Sequence, residues 1–305
     1  MGTSQLLSIP DRGTFDARYL GFLETITHLR PKLHRYCARM TGSALDGEDV
    51  MQDALFQAYR KLGSFDDTRP LAPWLFRIAH NQCIDFLRRR EVRESAEAES
   101  RVDELVPPPD AVGGDLGRAI EHLVLALPPK ERACVLLKDV FDYSLEEVAE
   151  LVDSTVGGVK AALHRGRARL ASSSETRTAR APASEETRGL LRLYVDRLNQ
   201  RDWDGLRELV SSDARIGVAD RYAGSAAQAP YFARFSQRRM PWRASLAEID
   251  GELAVVVHNA SGDGDAWTPQ TIVRFDVVDG RIAGLIDYTH CPWVLASAAP
   301  ITIVD

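Results

Sequence analysis

Two stretches that cannot build a core constrain this chain's fold more than any motif does. Residues 91–115, EVRESAEAESRVDELVPPPDAVGGD, carry eight acids against two arginines and three consecutive prolines. Residues 171–186, ASSSETRTARAPASEE, are rich in Ser, Thr and Ala and poor in large apolar side chains. Neither can bury enough apolar surface to offset the entropy of ordering it. Cutting there predicts a multidomain chain of 305 residues: domains at 14–93, 116–171 and 185–305, joined by linkers at 94–115 and 172–184. The first stretch is acidic enough to account for the whole formal net charge of -6.

Apolar residues make up 45% and charged residues 27%, as in ordinary globular proteins. No run approaches the ~18 apolar residues of a membrane span, and MGTSQLLSIPDRG has no basic start followed by an apolar run. Cys37, Cys83, Cys134 and Cys291 are scattered without paired spacing, so neither zinc nor any other metal is expected. The expectation is a soluble cytoplasmic protein with free thiols and no cofactor.

The first block reads as all helix, with helical spacing through 18–40, 47–62 and 72–90. Pro73 fits a helix start. Arg77, Asn81, Asp85 and Arg88 fall on one face, away from Leu75, Ile78, Phe86 and Leu87, and the helix ends in Arg88, Arg89 and Arg90. The second block is also helical. LPPKERACVLLKDVF precedes Ser144 and Glu147, which fit a capping box. A short turn follows, in which Asp153 tolerates a left-handed backbone. Then comes TVGGVKAALHRGRARL, capped by Ser154 or Thr155, with Val156, Val159, Leu163 and Leu170 on one face and only basic charges elsewhere. Two short helices with a tight turn, the second basic, make a helix-turn-helix.

The third block runs from two helices into a strand at 214–220, a small helix near 229–235, and strands at 242–249, 253–260, 271–278 and 281–288. Asp250-Gly251 and Asp279-Gly280 mark hairpins. Helices followed by an antiparallel sheet make an α+β domain.

DGEDVMQDALFQAYRKLGSFD with RPLAPWLFRIAHNQCIDFLRRR resembles region 2 of the extracytoplasmic-function bacterial RNA polymerase sigma factors. LPPKERACVLLKDVFDYSLEEVAELVDSTVGGVKAALHRGRARL resembles their region 4, and the likeness covers residues 14–170 in order. The resemblance implies that Asp49, Gln52, Asp53 and Tyr59 dock on the clamp helices of core polymerase, an acidic face meeting a basic one; an ordinary solvated helix face is the alternative. It implies that Arg77, Asn81, Asp85, Arg88, Arg89 and Arg90 read the −10 promoter element through base edges and phosphates. Asp85 also suits an ion pair with Arg88 or Arg89. Trp74 and Phe76 are candidates for stacking on unpaired bases, Trp74 also for the core, and Phe65 and Arg69 match the place where the family captures a flipped base. For the −35 element it implies Thr155, Gly157, Gly158, Lys160, His164, Arg165 and Arg167, the glycines letting the backbone approach DNA. The acidic linker would lie in the polymerase's nucleic-acid channel or serve as a plain tether.

Residues 185–305 resemble the SnoaL group, a cone-shaped α+β fold with an internal pocket. Here Asp220, Tyr222, Asp287 and His290 are candidate pocket residues, with Asp287 and His290 candidates for acid–base work. The linker and tail lack the Trp-Leu-Pro-Glu-Pro and Gly-rich motifs of certain sigma factors with this extension. The expected function is a non-enzymatic sigma factor whose partners are core polymerase and promoter DNA. Its C-terminal domain is expected to regulate it through intramolecular contacts, with or without a small ligand, and no membrane is expected to take part. Two rivals stand beside it: a ligand-sensing regulator that binds DNA without polymerase, and a pocket enzyme fused to a DNA-binding module.

Overall fold

The computed structural model describes residues 12–100, 124–172, 183–219, 222–225, 231–261, 266–298 and 301–304. The first bundle consists of α1 (Arg12–Thr41), α2 (Ala44–Lys61) and α3 (Leu71–Ser100). Ser43 caps α2 by accepting from the Asp46 amide at 3.2 Å, as a Ser N-cap should. Helix α3 runs beyond the expected boundary at 93. Residues 91–96 are exposed and the Arg90–Glu94 pair lies one turn apart at 3.6 Å, so good helix formers carry the helix into solvent without a core. The prolines of the first linker, and most of the second linker, lie outside the described residues.

In the second block α4 (Pro129–Val135) is followed by a π-helical turn, Leu136–Val140, and then by α5 (Leu145–Leu151) and α6 (Val156–Ser172). The capping box at Ser144 and Glu147 is formed in both directions, at 3.1 and 2.7 Å. Asp153 takes a φ of 50°, the left-handed value its turn needs.

These two blocks share one apolar core. Phe141 lies 6.0 Å from Tyr36 and 6.3 Å from Phe76 across the junction, in the edge-on geometry aromatic rings favour. Lys32 Nζ sits 4.6 Å from the Tyr143 ring. Arg132 reaches from α4 to the Met40 carbonyl at the end of α1.

The third block contains α7 (Glu185–Gln200), α8 (Trp203–Leu209), α9 (Ala233–Ser236) and α10 (Pro292–Ser297). Its strands are β1 (Val210–Val218), β2 (Tyr222–Ser225), β3 (Trp242–Ile249), β4 (Glu252–Ala260), β5 (Trp267–Val278), β6 (Arg281–Asp287) and β7 (Thr302–Ile303). They form one sheet in the order β2-β1-β6-β5-β4-β3-β7. The expected antiparallel sheet is corrected to a mixed one, because β1 pairs β6 in parallel. The intervening α9 and strands supply the long crossover that a parallel pair requires. Both Asp-Gly pairs have positive φ at each residue, 53° and 80° at 250–251 and 50° and 71° at 279–280, as tight hairpins demand.

The sheet has two buried faces. Val255, Val257, Val273 and Phe275 pack inward against Leu191, Tyr194 and Leu198 of α7. On the other face Ala254, Val256 and Ile272 bury against α10 and against Ala44 and Leu45 of the first bundle. The third domain therefore meets the first through its sheet.

Candidate polymerase- and DNA-facing surfaces

Helix α2 presents Asp49, Gln52, Asp53 and Tyr59 along one stripe, as their spacing predicts. Asp53 and Tyr59 are exposed, Tyr59 edge-on to Tyr19 at 5.7 Å. Phe56, on the same stripe, leaves 65% of its surface in solvent. The N-terminal half of the stripe is occupied. Arg274 of β5 donates to Asp46 and to Asp49 at 2.8 Å each, and its Nε donates to Glu252 at 2.6 Å. Burial would lower the pKa of Arg274, but Glu252, Asp46 and Asp49 outweigh it and hold the guanidinium charged. Burial raises the pKa of Asp49 against the pull of Arg274, with Asp46, Glu48 and Glu252 adding to the rise. Asp49 remains 41% exposed, so solvent screening moderates that rise.

Four further contacts surround this ion cluster. Asp250, at a hairpin turn, accepts from the Ala44 amide at 2.9 Å, placing a carboxylate on the positive end of α2. Buried Glu48 accepts from the Trp293 indole at 2.6 Å and from Gln52 at 3.0 Å, with the Cys291 thiol at 3.5 Å. Arg274, Glu48 and Trp293 were not singled out from the sequence. The available signal was a lone arginine inside an otherwise apolar strand run, TIVRF.

On α3, Arg77, Asn81 and Arg88 are exposed together. Asp85 is bonded to Arg88 at 3.1 Å, the bland role foreseen for it. Arg89 donates to the Asp85 carbonyl at 3.2 Å, and Arg90 is turned inward to the Thr41 carbonyl at 2.8 Å. Arg77 lies 3.6 Å from Asp153 in the helix-turn-helix, and Arg69 lies 4.0 Å from Glu150. Trp74 packs at the core edge against Phe65, with ring centroids 4.7 Å apart. Phe76 is 1% exposed. Its expected role in base stacking is corrected, since the rings of Tyr36, Phe141 and Tyr143 pack over it.

On α6, Thr155 rather than Ser154 caps the helix, accepting from the Gly158 amide at 3.0 Å. The two glycines differ. A Cβ at Gly157 would meet nothing nearer than 3.9 Å, whereas one at Gly158 would lie 2.7 Å from Ser154 Oγ. Gly157 therefore faces solvent and Gly158 packs against Ser154 and the Thr155 cap. Lys160 and His164 are exposed, and among the described residues neither has an acidic partner. The arginines are matched locally: Glu131 of α4 takes Arg165 at 2.9 Å and also Arg169, and Asp139 takes Arg167 through two bonds of 2.6 and 3.1 Å. Much of the basic character of this helix is thus balanced within its own module.

Residues 25–93 match the Sigma-70 region 2 family, 117–170 match Sigma-70, region 4, and 191–285 match the SnoaL-like domain. The ECF RNA polymerase sigma factor SigW of Bacillus subtilis is 33% identical over 158 residues, which span 48% of this chain and 84% of SigW. This chain belongs to the extracytoplasmic-function sigma factors. The ECF sigma factor SigM of Mycobacterium tuberculosis is 33% identical over 141 residues, covering 70% of SigM. SigG of the same species is 32% identical over 213 residues, 61% of this chain and 58% of SigG. A solved structure of M. tuberculosis SigJ covers 92% of this sigma factor at 18% identity with a TM-score of 0.36.

In the SnoaL-like domain of this sigma factor, Asp287 is fully buried. It accepts from the Tyr231 hydroxyl, the Thr271 hydroxyl and the Thr289 amide, each at 2.9 Å. His290 is exposed beyond the end of β6, so the two candidates face different surroundings. Asp220 and the Tyr222 side chain lie outside the described residues. Among the described residues no group of His, Cys, Asp or Glu has a geometry that holds a metal, and no helix is long and apolar enough to cross a membrane.

Proposed function

We propose that this sigma factor is restrained by its own C-terminal domain, which covers part of the surface that α2 offers to core RNA polymerase. ECF sigma factors direct core polymerase to promoter DNA. In this chain Asp49, Gln52, Asp53 and Tyr59 are the residues assigned to the polymerase contact, with Arg77, Asn81 and Arg88 assigned to the −10 element. Thr155, Gly157, Lys160 and His164 are assigned to the −35 element, with Arg165 and Arg167 held beside them by Glu131 and Asp139.

Arg274 carries the regulatory reading. It satisfies Asp46 and Asp49 at once, so a basic group of the polymerase competes with Arg274 for Asp49. Gln52 is held through Glu48, which also holds Trp293; the same docking therefore constrains two of the four polymerase-facing residues. The domain acts without chemistry of its own in this reading. Asp287 is committed to three donors within the fold, whereas a general base needs a lone pair directed at its substrate.

Run-off transcription with core polymerase tests the proposal, comparing the full chain with residues 1–184. Greater transcription from the truncated chain at equal concentrations of protein and core polymerase is the expected result. Identical output would remove the regulatory reading while leaving the sigma-factor assignment in place.

A further inference from the structure

Residues 221–247 carry five arginines and no acidic residue, in a chain whose formal net charge is -6. Tyr222, Tyr231, Phe232, Phe235 and Trp242 are interleaved with them. Successive residues of a strand point to opposite faces, so at the start of β3 Trp242 packs into the core under α7 while Arg243 stands exposed on the other face. The Arg243 guanidinium lies 4.7 Å from the centre of the Trp267 ring on β5. On the α7 side Arg201 covers the Trp242 ring at 3.4 Å and donates to the Trp242 carbonyl at 3.0 Å. It also donates to the Leu198 and Asn199 carbonyls, at 3.0 and 3.3 Å, so it braces this end of the sheet. Arg239 and Met240, in the loop before β3, are exposed. Among the described residues neither Arg239 nor Arg243 has an acidic partner. The Asp250 turn, which reaches α2, lies at the opposite end of β3, about 25 Å away, so this face is open while the domain is docked.

We propose that this end of the SnoaL-like domain binds the phosphate backbone of duplex DNA immediately upstream of the −35 element, with Arg239 and Arg243 as the phosphate-binding residues. The inference rests on the −35 reading of α6. Reach supports it. Helix α6 ends at Ser172 and α7 begins at Glu185, and a connection of that length spans at most about 45 Å, a little over one turn of duplex. In the same reading region 2 and core polymerase take the downstream side, which leaves the upstream side to this domain. The aromatic rings argue for a duplex over unpaired bases. A base-stacking platform needs an open ring face, whereas Trp242 is buried beneath Arg201 and Trp267 lies under Arg243. A guanidinium held flat on an indole loses little further freedom on meeting a phosphate, and stacking uses its face while leaving its N–H edge for oxygen acceptors.

The test uses holoenzyme assembled from the full chain and core polymerase, with two promoter duplexes. One ends at the −35 element, and the other extends about two turns, roughly 20 base pairs, upstream of it. Affinities are measured across about 50 to 200 mM salt. On the long duplex, Arg239→Gln combined with Arg243→Gln should lower the magnitude of the log–log salt slope by about 1.8, two phosphate contacts, so that the affinity lost over this range shrinks about twelvefold. On the short duplex the slope should stay at the parent's value. Arg239→Lys combined with Arg243→Lys should keep the slope on both, and all variants should melt like the parent. Changing the upstream sequence should leave the effect intact, since backbone contacts carry no base readout. An unchanged slope on the long duplex overturns the proposal, and so does an equal fall on both duplexes, which would place the contact elsewhere. Weaker binding of the Gln variant to core polymerase without DNA, with unchanged slopes, would make this face a protein-docking surface and would also overturn it. Lys160→Gln on the short duplex keeps the two readings apart: a slope lowered by about 0.9 leaves the −35 reading standing whatever the upstream result, and an unchanged slope removes both.

Discussion

The first helical bundle is gripped from two sides, and the two grips differ in kind. Region 4 joins it through a continuous apolar core, in which Phe141 is enclosed by Tyr36 and Phe76 and neighbours Val148 and Leu151 are buried. The C-terminal domain joins it through a small apolar contact around Ala44 and Leu45, beside a cluster in which one guanidinium serves three carboxylates. Apolar burial is non-directional and weakly sensitive to salt. A partly buried ion cluster depends on its stoichiometry: losing the single cation leaves several like charges together in a poorly solvated place. In the proposed regulation, the charged contact is the one a competing partner would displace.

The largest expected effect breaks the apolar side. Phe141→Ala should cost about 3–5 kcal/mol of stability and should let thiol reagents reach Cys134, which is buried in the parent, while Cys291 stays protected. Thermal unfolding and thiol labelling followed by peptide mapping check both parts.

Acid should loosen the same side. His80 is 6% exposed and pairs with the Tyr36 hydroxyl at 2.8 Å; burial lowers its pKa to about 4 from an ordinary 6.5. Between those values the unfolded chain binds the proton and the folded one does not, so stability is full above pH 6.5 and falls toward pH 4, by up to about 3 kcal/mol. Chemical denaturation at steps from pH 7 to 4 measures this, and His80→Gln should flatten the profile.

Arg274→Met addresses the charged side. With Asp49 partly solvated, the loss should be about 2 kcal/mol of docking, below the range for a fully buried pair. Cys291, buried in the parent, should label faster while Cys37, Cys83 and Cys134 remain protected. Labelling of Cys134 in this variant would show that the two grips are not independent. The smallest effect belongs to Asp153→Asn, which removes an exposed pair with Arg77 and should cost under about 1 kcal/mol. Its use is to show that the exposed charges across the region 2–region 4 junction add little to the apolar hold.

Local signals made much of this architecture legible. Ser144 with Glu147, Asp153, and the two Asp-Gly turns each act within a few residues, and each is realised in the fold. The exposed face of α3 follows from helical spacing alone, whereas the stripe on α2 was picked out through the family resemblance. What escaped depends on distant partners. Glu131 lies 34 residues from Arg165, so the neutralisation of the basic helix has no local trace. Arg274 lies 225 residues from Asp49, and in the strand pattern it reads only as one polar residue among apolar ones. The parallel β1–β6 pair and α10 were missed for the same reason, since neither pairing partner nor packing surface is encoded nearby. Phe76 was misassigned because an aromatic residue on a DNA-reading helix has the same sequence signature whether another module covers it or not.

Equilibrium binding to core RNA polymerase, measured for the full chain and for Arg274→Met at the same salt and pH, tests the central claim most directly. Release of Asp49 from Arg274 should tighten binding by up to about 30-fold, the equivalent of 2 kcal/mol of docking. Equal or weaker binding by the variant, with its C-terminal domain still folded, would contradict the account.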